Sequence, residues 1–288
     1  MAIESTDAAA AGTLTLGGDL EVRRLGFGAM RITGSGIWGP PPDPEGAKSV
    51  LRRAVELGVD FIDTASSYGP DVSEELIAEA LHPYPGGLVI ATKGGLTRPG
   101  PSQWEADCRP EHLRQSCEGS LRRLRLERID LYQLHTVDRK VPLEESVGAL
   151  AELQNEGKIA HIGLSNVNVE QLGRAREIVP VVSVQNRYSI GDRESQPVLE
   201  VCELEGIAFI PWFPLAAGGL ATDGAIGRVA QEHDASPFQV ALAWLLARSP
   251  VMLPIPGTSS VEHLEEDIAA AGLRLAQEEF EELSALGA

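Results

Sequence analysis

Gly58-Val-Asp-Phe-Ile-Asp-Thr-Ala-Ser-Ser-Tyr-Gly69 is a short apolar run that stops on a carboxylate. Val59 to Ile62 has the composition of a strand buried on both faces, as strands of parallel sheets are. Asp63 ends the run, and Tyr68 follows in a loop of small residues. The helical pattern 45–57 precedes this strand and another, 73–81, follows it. A strand held between two helices in this way is one unit of an alternating α/β fold.

The unit recurs outward in both directions. Apolar strand-like runs occupy residues 25–28, 59–63, 88–92, 130–134, 159–163, 181–185, 208–211 and 252–255, which makes eight. Helical patterns lie between and after them at 45–57, 73–81, 110–126, 143–156, 169–179, 195–205, 225–233 with 237–248, 261–271 and 277–286. Residues 14–22 read as a β-hairpin around Gly17-Gly18. Eight strand-helix units in a chain of 288 residues predict an α/β protein with a (β/α)8 TIM barrel fold. The rival, a doubly wound open sheet, usually opens with a glycine-rich phosphate turn after its first strand. Leu25-Gly-Phe-Gly-Ala-Met-Arg31 lacks the third glycine, and no helix follows it directly. The expected organisation is a disordered N-terminal tail over residues 1–12 and one barrel domain over 13–288.

Composition limits the function. With 43% apolar and 23% charged residues the chain is ordinary for a soluble globular protein, and no run approaches a membrane span. The net charge of −18 argues against nucleic acid and anionic membranes as partners, because both require a basic footprint. Cys108, Cys117 and Cys202 cannot all pair within the chain and show no metal or CxxC spacing, which fits a reducing, cytoplasmic setting. The N-terminus lacks the pattern of a signal peptide.

Barrels of this class carry their chemistry at the C-terminal ends of the strands. There the second strand ends at Asp63, with Tyr68 in its loop. The third reaches Lys93, and the fourth reaches His135. Taken singly these residues have bland readings: a cap for Asp63, a surface aromatic for Tyr68, a structural imidazole for His135. Lys93 is more telling. It is one of four lysines, and a lysine closing an apolar strand is buried only if it is paired. Together they form a chemical device. An ammonium stabilises a neighbouring phenolate and lowers the phenol pKa, a carboxylate fixes the ammonium, and an imidazole can donate to a carbonyl oxygen. The set supplies a proton at an oxygen while hydride arrives at its carbon.

With these residues in register, the chain resembles the aldo-keto reductases from about Leu25 to Ala271. The family's Asp, Tyr, Lys and His tetrad matches Asp63, Tyr68, Lys93 and His135. Gly163-Leu-Ser-Asn166, Val184-Gln-Asn-Arg-Tyr188 and Ile255-Pro-Gly-Thr-Ser-Ser-Val-Glu-His-Leu264 fall in register too. The resemblance implies a barrel capped at its base by the N-terminal hairpin, and reduction of a small-molecule aldehyde or ketone by NADPH, with NADH as the alternative. It implies Tyr68 as proton donor, tuned by Lys93 and Asp63, and His135 orienting the carbonyl. It implies Ser165, Asn166 and Gln185 on the nicotinamide carboxamide. Other cofactor candidates are Trp212, Pro214 and Leu215 after the seventh strand, and Gly257, Thr258, Ser259, His263 and Asp267 after the eighth.

The chain departs from the family pattern at two places. Trp212 stands where a tyrosine commonly lies under the nicotinamide, and an indole can stack there equally well. From Gly257 to Asp267 there is no Lys or Arg to meet a 2′-phosphate, so hydroxyls and a helix N-terminus would have to serve. Asp267 stands where the family often has asparagine beside the adenine. Ser259 with Glu262 also reads as a helix capping box. Arg193 is a candidate for the pyrophosphate or adenosine. Trp38, in the loop over residues 31–44, and Trp104, in the loop over 94–109, are candidate walls for the substrate, and Trp244 reads as core. The chain stops soon after its last helix, which implies an open pocket. A monomer or small homo-oligomer is expected. Two rival functions remain: a non-catalytic cofactor-binding regulatory barrel, and a Schiff-base lyase using Lys93.

Overall fold

The computed structural model describes residues 7–215 and 224–287. Seven strands form one parallel sheet in sequence order: β3 (Phe27–Gly28), β4 (Phe61–Asp63), β5 (Val89–Gly94), β8 (Ile129–Leu134), β9 (Ile159–Ser165), β10 (Val181–Arg187) and β11 (Ala208–Trp212). The eighth segment closes the ring. On one side Leu253 N donates to Phe209 O at 2.9 Å and Phe209 N to Val251 O at 2.8 Å. On the other, Gly26 N donates to Pro254 O at 3.0 Å and Gly28 N to Pro256 O at 2.9 Å. This segment lacks a regular ladder because Pro254 and Pro256 have no N–H to give, and it joins β3 through its carbonyls alone. The eight-stranded barrel read from the sequence is therefore present, with its seam where the prolines lie. The seam is tight: a Cβ at Gly257 would meet the Gly28 carbonyl oxygen at 2.3 Å. Closure thus requires glycine at 257 whatever else that residue does.

Ten helices are described. α1 (Pro44–Glu56), α2 (Val72–Leu81), α3 (Pro110–Leu124), α4 (Leu143–Asn155) and α5 (Val169–Arg176) follow the first five strands. α6 (Gln196–Glu205), α7 (Ala225–Glu232), α8 (Pro237–Arg248), α9 (Val261–Ala269) and α10 (Gln277–Ser284) complete the set. Each lies within a few residues of its predicted range. Their starts carry local caps. Asp43 caps α1 through Gly46 N, and Ser236 with Gln239 forms a capping box on α8. Among the described residues no helix is long and apolar enough to cross a membrane.

The strands alternate inward and outward with period two. Their outer rows, such as Ile62, Ile90, Leu134, Ile162 and Phe209, pack under the helices. Their inner rows begin apolar at the base, with Phe61, Val89, Leu131, Ala208 and Leu253. The hairpin β1 (Thr13–Leu16) and β2 (Leu20–Arg23) plugs this base with Leu16 and Val22, both fully buried. Gly17 and Gly18 take the positive φ that its turn requires. Leu16→Ala should remove a plug residue that the rigid barrel cannot replace. A loss of about 2–5 kcal/mol is expected, the range for such core truncations, and denaturant unfolding would read it.

The expected disordered tail over residues 1–12 needs correction in its second half. Ala8–Ala11 form a 3-10 turn capped by Asp7, Ala8 N donates to Leu57 O at 2.9 Å, and Arg274 Nη2 donates to Ala10 O at 2.7 Å. The alanines order because a methyl group fits where Ala8 and Ala11 are buried, in one core cluster with α1 and α9. Residues 1–6 lie outside the described residues. Cys108, Cys117 and Cys202 are free and buried, and burial pushes each thiol up to about 12.

Candidate active site

The inner rows that start apolar at the base end polar at the top. Asp63 closes β4, Lys93 sits one residue from the end of β5, and both face inward by the same alternation that buries Phe61, Val89 and Ala91 below them. Lys93 Nζ donates to Asp63 Oδ1 at 2.6 Å and to the Thr64 carbonyl at 2.8 Å. It lies 3.4 Å from the Tyr68 hydroxyl. Lys93 is 0% exposed and Asp63 2%. Such a pair is tolerated because every charge has a partner.

Tyr68 is brought to the lysine by its loop. Thr64 N and Ser66 N donate to Ala91 O and Lys93 O, so the loop runs on as an extra turn of pairing against β5. Ser73, at the start of α2, then donates its N–H to Tyr68 O, and its hydroxyl accepts from the Thr64 hydroxyl and donates to Ala29 O. Between these ties the phenol is 7% exposed. His135 follows β8, its N–H donating to Gly94 O at 2.8 Å. Its ring stands edge-on to Tyr68 with centroids 5.8 Å apart, and its Nδ1 has a long 3.4 Å contact with Ser67 Oγ. The four residues picked from three strand ends therefore meet at one rim.

The electrostatics differ from the simple expectation at one point. Burial raises the Tyr68 pKa, Lys93 pulls it down less strongly, and the net shift is upward. The phenol therefore holds its proton at neutral pH, and the ammonium counts when negative charge develops on the oxygen. Burial alone would depress the Lys93 ammonium, but Asp63 and Tyr68 reverse the sign and keep it charged. Burial first, and Lys93 second, push His135 well below the usual histidine value, so its imidazole is neutral.

Sequence reasoning missed Gln133. It lies on the inner row two residues before His135, and its Nε2 donates to Asp63 Oδ2 at 3.1 Å. Gln185 Nε2 reaches the same oxygen at 2.9 Å. Asp63 is thus held by an ammonium on one oxygen and two amides on the other. A fully polar side chain amid an apolar strand was the available signal for Gln133.

The expected cofactor residues fall in two groups. At the top of β9, β10 and β11, Asn166 takes a left-handed φ of 58° and links three strand ends. Its Nδ2 donates to His135 O at 3.0 Å and Ser165 Oγ at 3.1 Å, and its Oδ1 accepts from Trp212 Nε1 at 3.0 Å. Ser165 still has a hydroxyl proton to give, Asn166 Oδ1 a second lone pair, and Gln185 its Oε1. These groups and the half-buried Trp212 indole suit a planar amide-bearing ring. Pro214 is buried, and Leu215 packs on the core. At the start of α9 the cap is Ser260, through His263 N, and not Ser259 with Glu262. Ser259 and His263 are consequently exposed, beside Thr258 and Gly257. Thr258 Oγ1 accepts from Ser260 N at 3.0 Å. Asp267 is buried, and burial, aided by Glu266, pushes its carboxyl up to about 7. This end offers neutral donors and a helix N-terminus for an anion.

Arg193 is not at this site. Its guanidinium stacks 4.0 Å over the Trp244 ring and donates to the Ser189 and Ile190 carbonyls. The correction follows from packing: a planar cation on a buried indole, fixed by carbonyls, is a structural clamp. Trp244 is core, as expected. The two loop tryptophans do reach the rim. Trp104 is 37% exposed, with its ring centroid 6.3 Å from both Tyr68 and His135. Trp38 is half-buried and pairs with Gly69 next to Tyr68.

The relations to known proteins agree with this geometry. A family model for the aldo/keto reductase family matches residues 24–288. An uncharacterised oxidoreductase of Schizosaccharomyces pombe is 52% identical over 99% of this chain and 93% of its own length. A pyridoxine 4-dehydrogenase of Escherichia coli is 44% identical over 92% of this chain and 95% of its own. Among solved structures, an aldo-keto reductase from Klebsiella pneumoniae in complex with NADPH has a TM-score of 0.81 at 26% identity, covering 95% of this chain and 94% of that one.

Proposed function

The chain belongs to the aldo/keto reductase family, and on that premise we propose that it reduces an aldehyde or ketone to the alcohol with NADPH, Tyr68 giving the proton. The observation that carries this reading is Lys93 Nζ placed 2.6 Å from Asp63 and 3.4 Å from the Tyr68 hydroxyl in one buried cluster.

When bound, the dinucleotide would supply hydride to the carbonyl carbon. Ser165, Asn166 and Gln185 would hold its carboxamide, Trp212 its ring face, and Thr258, Ser259 and His263 its adenosine end beside Asp267. Tyr68 holds a proton at its hydroxyl until oxygen needs it, and Lys93 stabilises the phenolate left behind. Asp63, clamped by Gln133 and Gln185, keeps the ammonium charged and in place. That same pairing counts against Lys93 as a Schiff-base nucleophile, which must be neutral. In the tautomer whose Nδ1 accepts from the Ser67 hydroxyl, the neutral imidazole keeps Nε2–H as a donor to the carbonyl oxygen. The Escherichia coli relative makes pyridoxal the first physiological aldehyde to try.

NADPH and NADH titrations, followed by tryptophan emission, and then turnover on an aldehyde panel test the proposal. Binding of NADPH without turnover of any aldehyde would sink it. Discrimination between the two cofactors should be weak, less than about tenfold, because a helix N-terminus contributes about 0.3–1 kcal/mol to an anion. A preference of about a hundredfold, or 2.7 kcal/mol, would mean that a cation outside residues 257–267 meets the phosphate.

A further inference from the structure

Arg98 is a buried cation that the tetrad does not use. It is 8% exposed and pairs with no carboxylate among the described residues. It leaves the short strand β6 (Leu96–Thr97), whose partner β7 (Glu105–Ala106) returns just after Trp104. Its guanidinium is spent on four main-chain carbonyls from three chain segments. Nε donates to Gln103 O at 2.7 Å, within its own loop. Nη2 donates to Gly36 O at 2.8 Å and Nη1 to Ile37 O at 2.8 Å, in the loop that carries Trp38. Nη1 also donates to Ser67 O at 3.1 Å, the residue before Tyr68. The carbon of the guanidinium lies 3.7 Å from the Trp104 ring centroid and 5.9 Å from that of Trp38. Ser102 N adds a bond to Gly36 O at 3.0 Å.

Resting on the proposed carbonyl reduction, we propose that Arg98 is a positioning residue that sets substrate selectivity by fixing the Trp104 indole as a wall beside Tyr68 and His135. Trp104 otherwise stands exposed at the end of a loop held by two short strands, which by themselves order a side chain poorly. The planar cation on its face holds it in place. Tyr68, His135 and Trp104 then form a corner of three mutually edge-on rings, with centroids 5.8–6.3 Å apart. A carbonyl oxygen bound at the Tyr68 hydroxyl places whatever is attached to the carbonyl carbon against that corner. A flat aromatic aldehyde would contact the indole, whereas a short aliphatic aldehyde would fall short of it. The fork geometry matters as much as the charge, since an ammonium cannot reach four carbonyls in one plane.

The test compares pyridine-4-carbaldehyde with propanal, both with NADPH, in wild type, Arg98→Met, Arg98→Lys, Trp104→Leu and the Arg98→Met/Trp104→Leu double variant, with melting temperatures alongside. In Arg98→Met the ratio of kcat/KM values, aromatic over aliphatic, should fall about tenfold, equal to about 1.4 kcal/mol. The change should appear mainly as a higher KM for the aromatic aldehyde. Arg98→Lys should resemble Arg98→Met, Trp104→Leu should lose the same selectivity, and the double variant should be no less selective than Trp104→Leu. Equal losses on both aldehydes, full rescue by lysine, or additive losses in the double variant would overturn the proposal. If Arg98→Met does not fold, unchanged selectivity in Trp104→Leu overturns it and lost selectivity upholds the wall. Failure of the underlying reductase reading would look different: wild type would turn over neither aldehyde.

Discussion

Tyr68→Phe is expected to reduce carbonyl turnover by about 10²–10⁴-fold, the usual contribution of a positioned proton donor, with cofactor affinity nearly unchanged. The substitution removes one oxygen and keeps the ring, so the edge-on contacts with His135 and Trp104 persist. Lys93 and Asp63 keep each other at 2.6 Å. No other group near the substrate can replace the acid. His135 is neutral with a strongly lowered pKa, and Lys93 is held charged by Asp63. Steady-state NADPH oxidation reads the result, and wild-type rates in the variant would refute the assigned role. The pH profile of the wild type carries the same logic. The phenol must be protonated to donate, and burial raises its pKa. Reduction should therefore stay level through neutral pH and fall only on the alkaline side, beyond the ordinary phenol value near 10. Alcohol oxidation, which needs Tyr68 to accept a proton, should rise over the same limb.

Lys93→Met should show the second large effect, on stability as well as on activity. Methionine fills most of the lysine stem's space but leaves the Asp63 carboxylate buried beneath the rim without its cation. Removing one partner of a buried pair costs about 3–5 kcal/mol. The lower end is expected here, because Gln133 and Gln185 still donate to Asp63 Oδ2. Adding Asp63→Asn to Lys93→Met should restore much of the stability and none of the activity, since a neutral pair needs no counter-ion while the phenolate still lacks its ammonium. Urea unfolding and NADPH turnover separate the two. Equal stability of wild type and Lys93→Met would show that the carboxylate finds solvent or a proton at little cost.

Where these residues lie along the chain was legible because strand ends are local features. An apolar run that stops on Asp63, or on Lys93, announces both the strand and its polar end. Period-two alternation then says that the last inward position continues the row of Phe61 or Val89. The helices were legible for a similar reason: their apolar periodicity is set between residues one turn apart. The eighth strand was legible as an apolar run, but its irregular pairing came from Pro254 and Pro256 at the seam.

Other features depend on neighbours that only barrel closure brings together. Gln133 and Gln185 are 52 residues apart in the chain, yet both donate to one oxygen of Asp63, because they face the same enclosed centre. Arg98 and Arg193 carry the same side chain in loops of similar character. One braces the loop tryptophans at the rim, and the other clamps Trp244 in the core, a difference set by which indole each loop meets. The cap at Ser260, one residue past the expected Ser259, shifts which hydroxyls remain exposed at the start of α9.

The stretch from Gly58 to Gly69 determined by itself that a buried strand ends on a carboxylate with a phenol close behind, and the repeated unit around it determined the barrel. Local patterning is enough for that, because the inward and outward faces of a strand follow from backbone geometry alone. What only the tertiary structure decided is the protonation logic of the site and the shape of its mouth. Burial outweighs the lysine at Tyr68, two amides brace Asp63, and Arg98 ties three segments around Trp104. Desolvation and convergence of distant segments are properties of the closed barrel, and no stretch of sequence contains them.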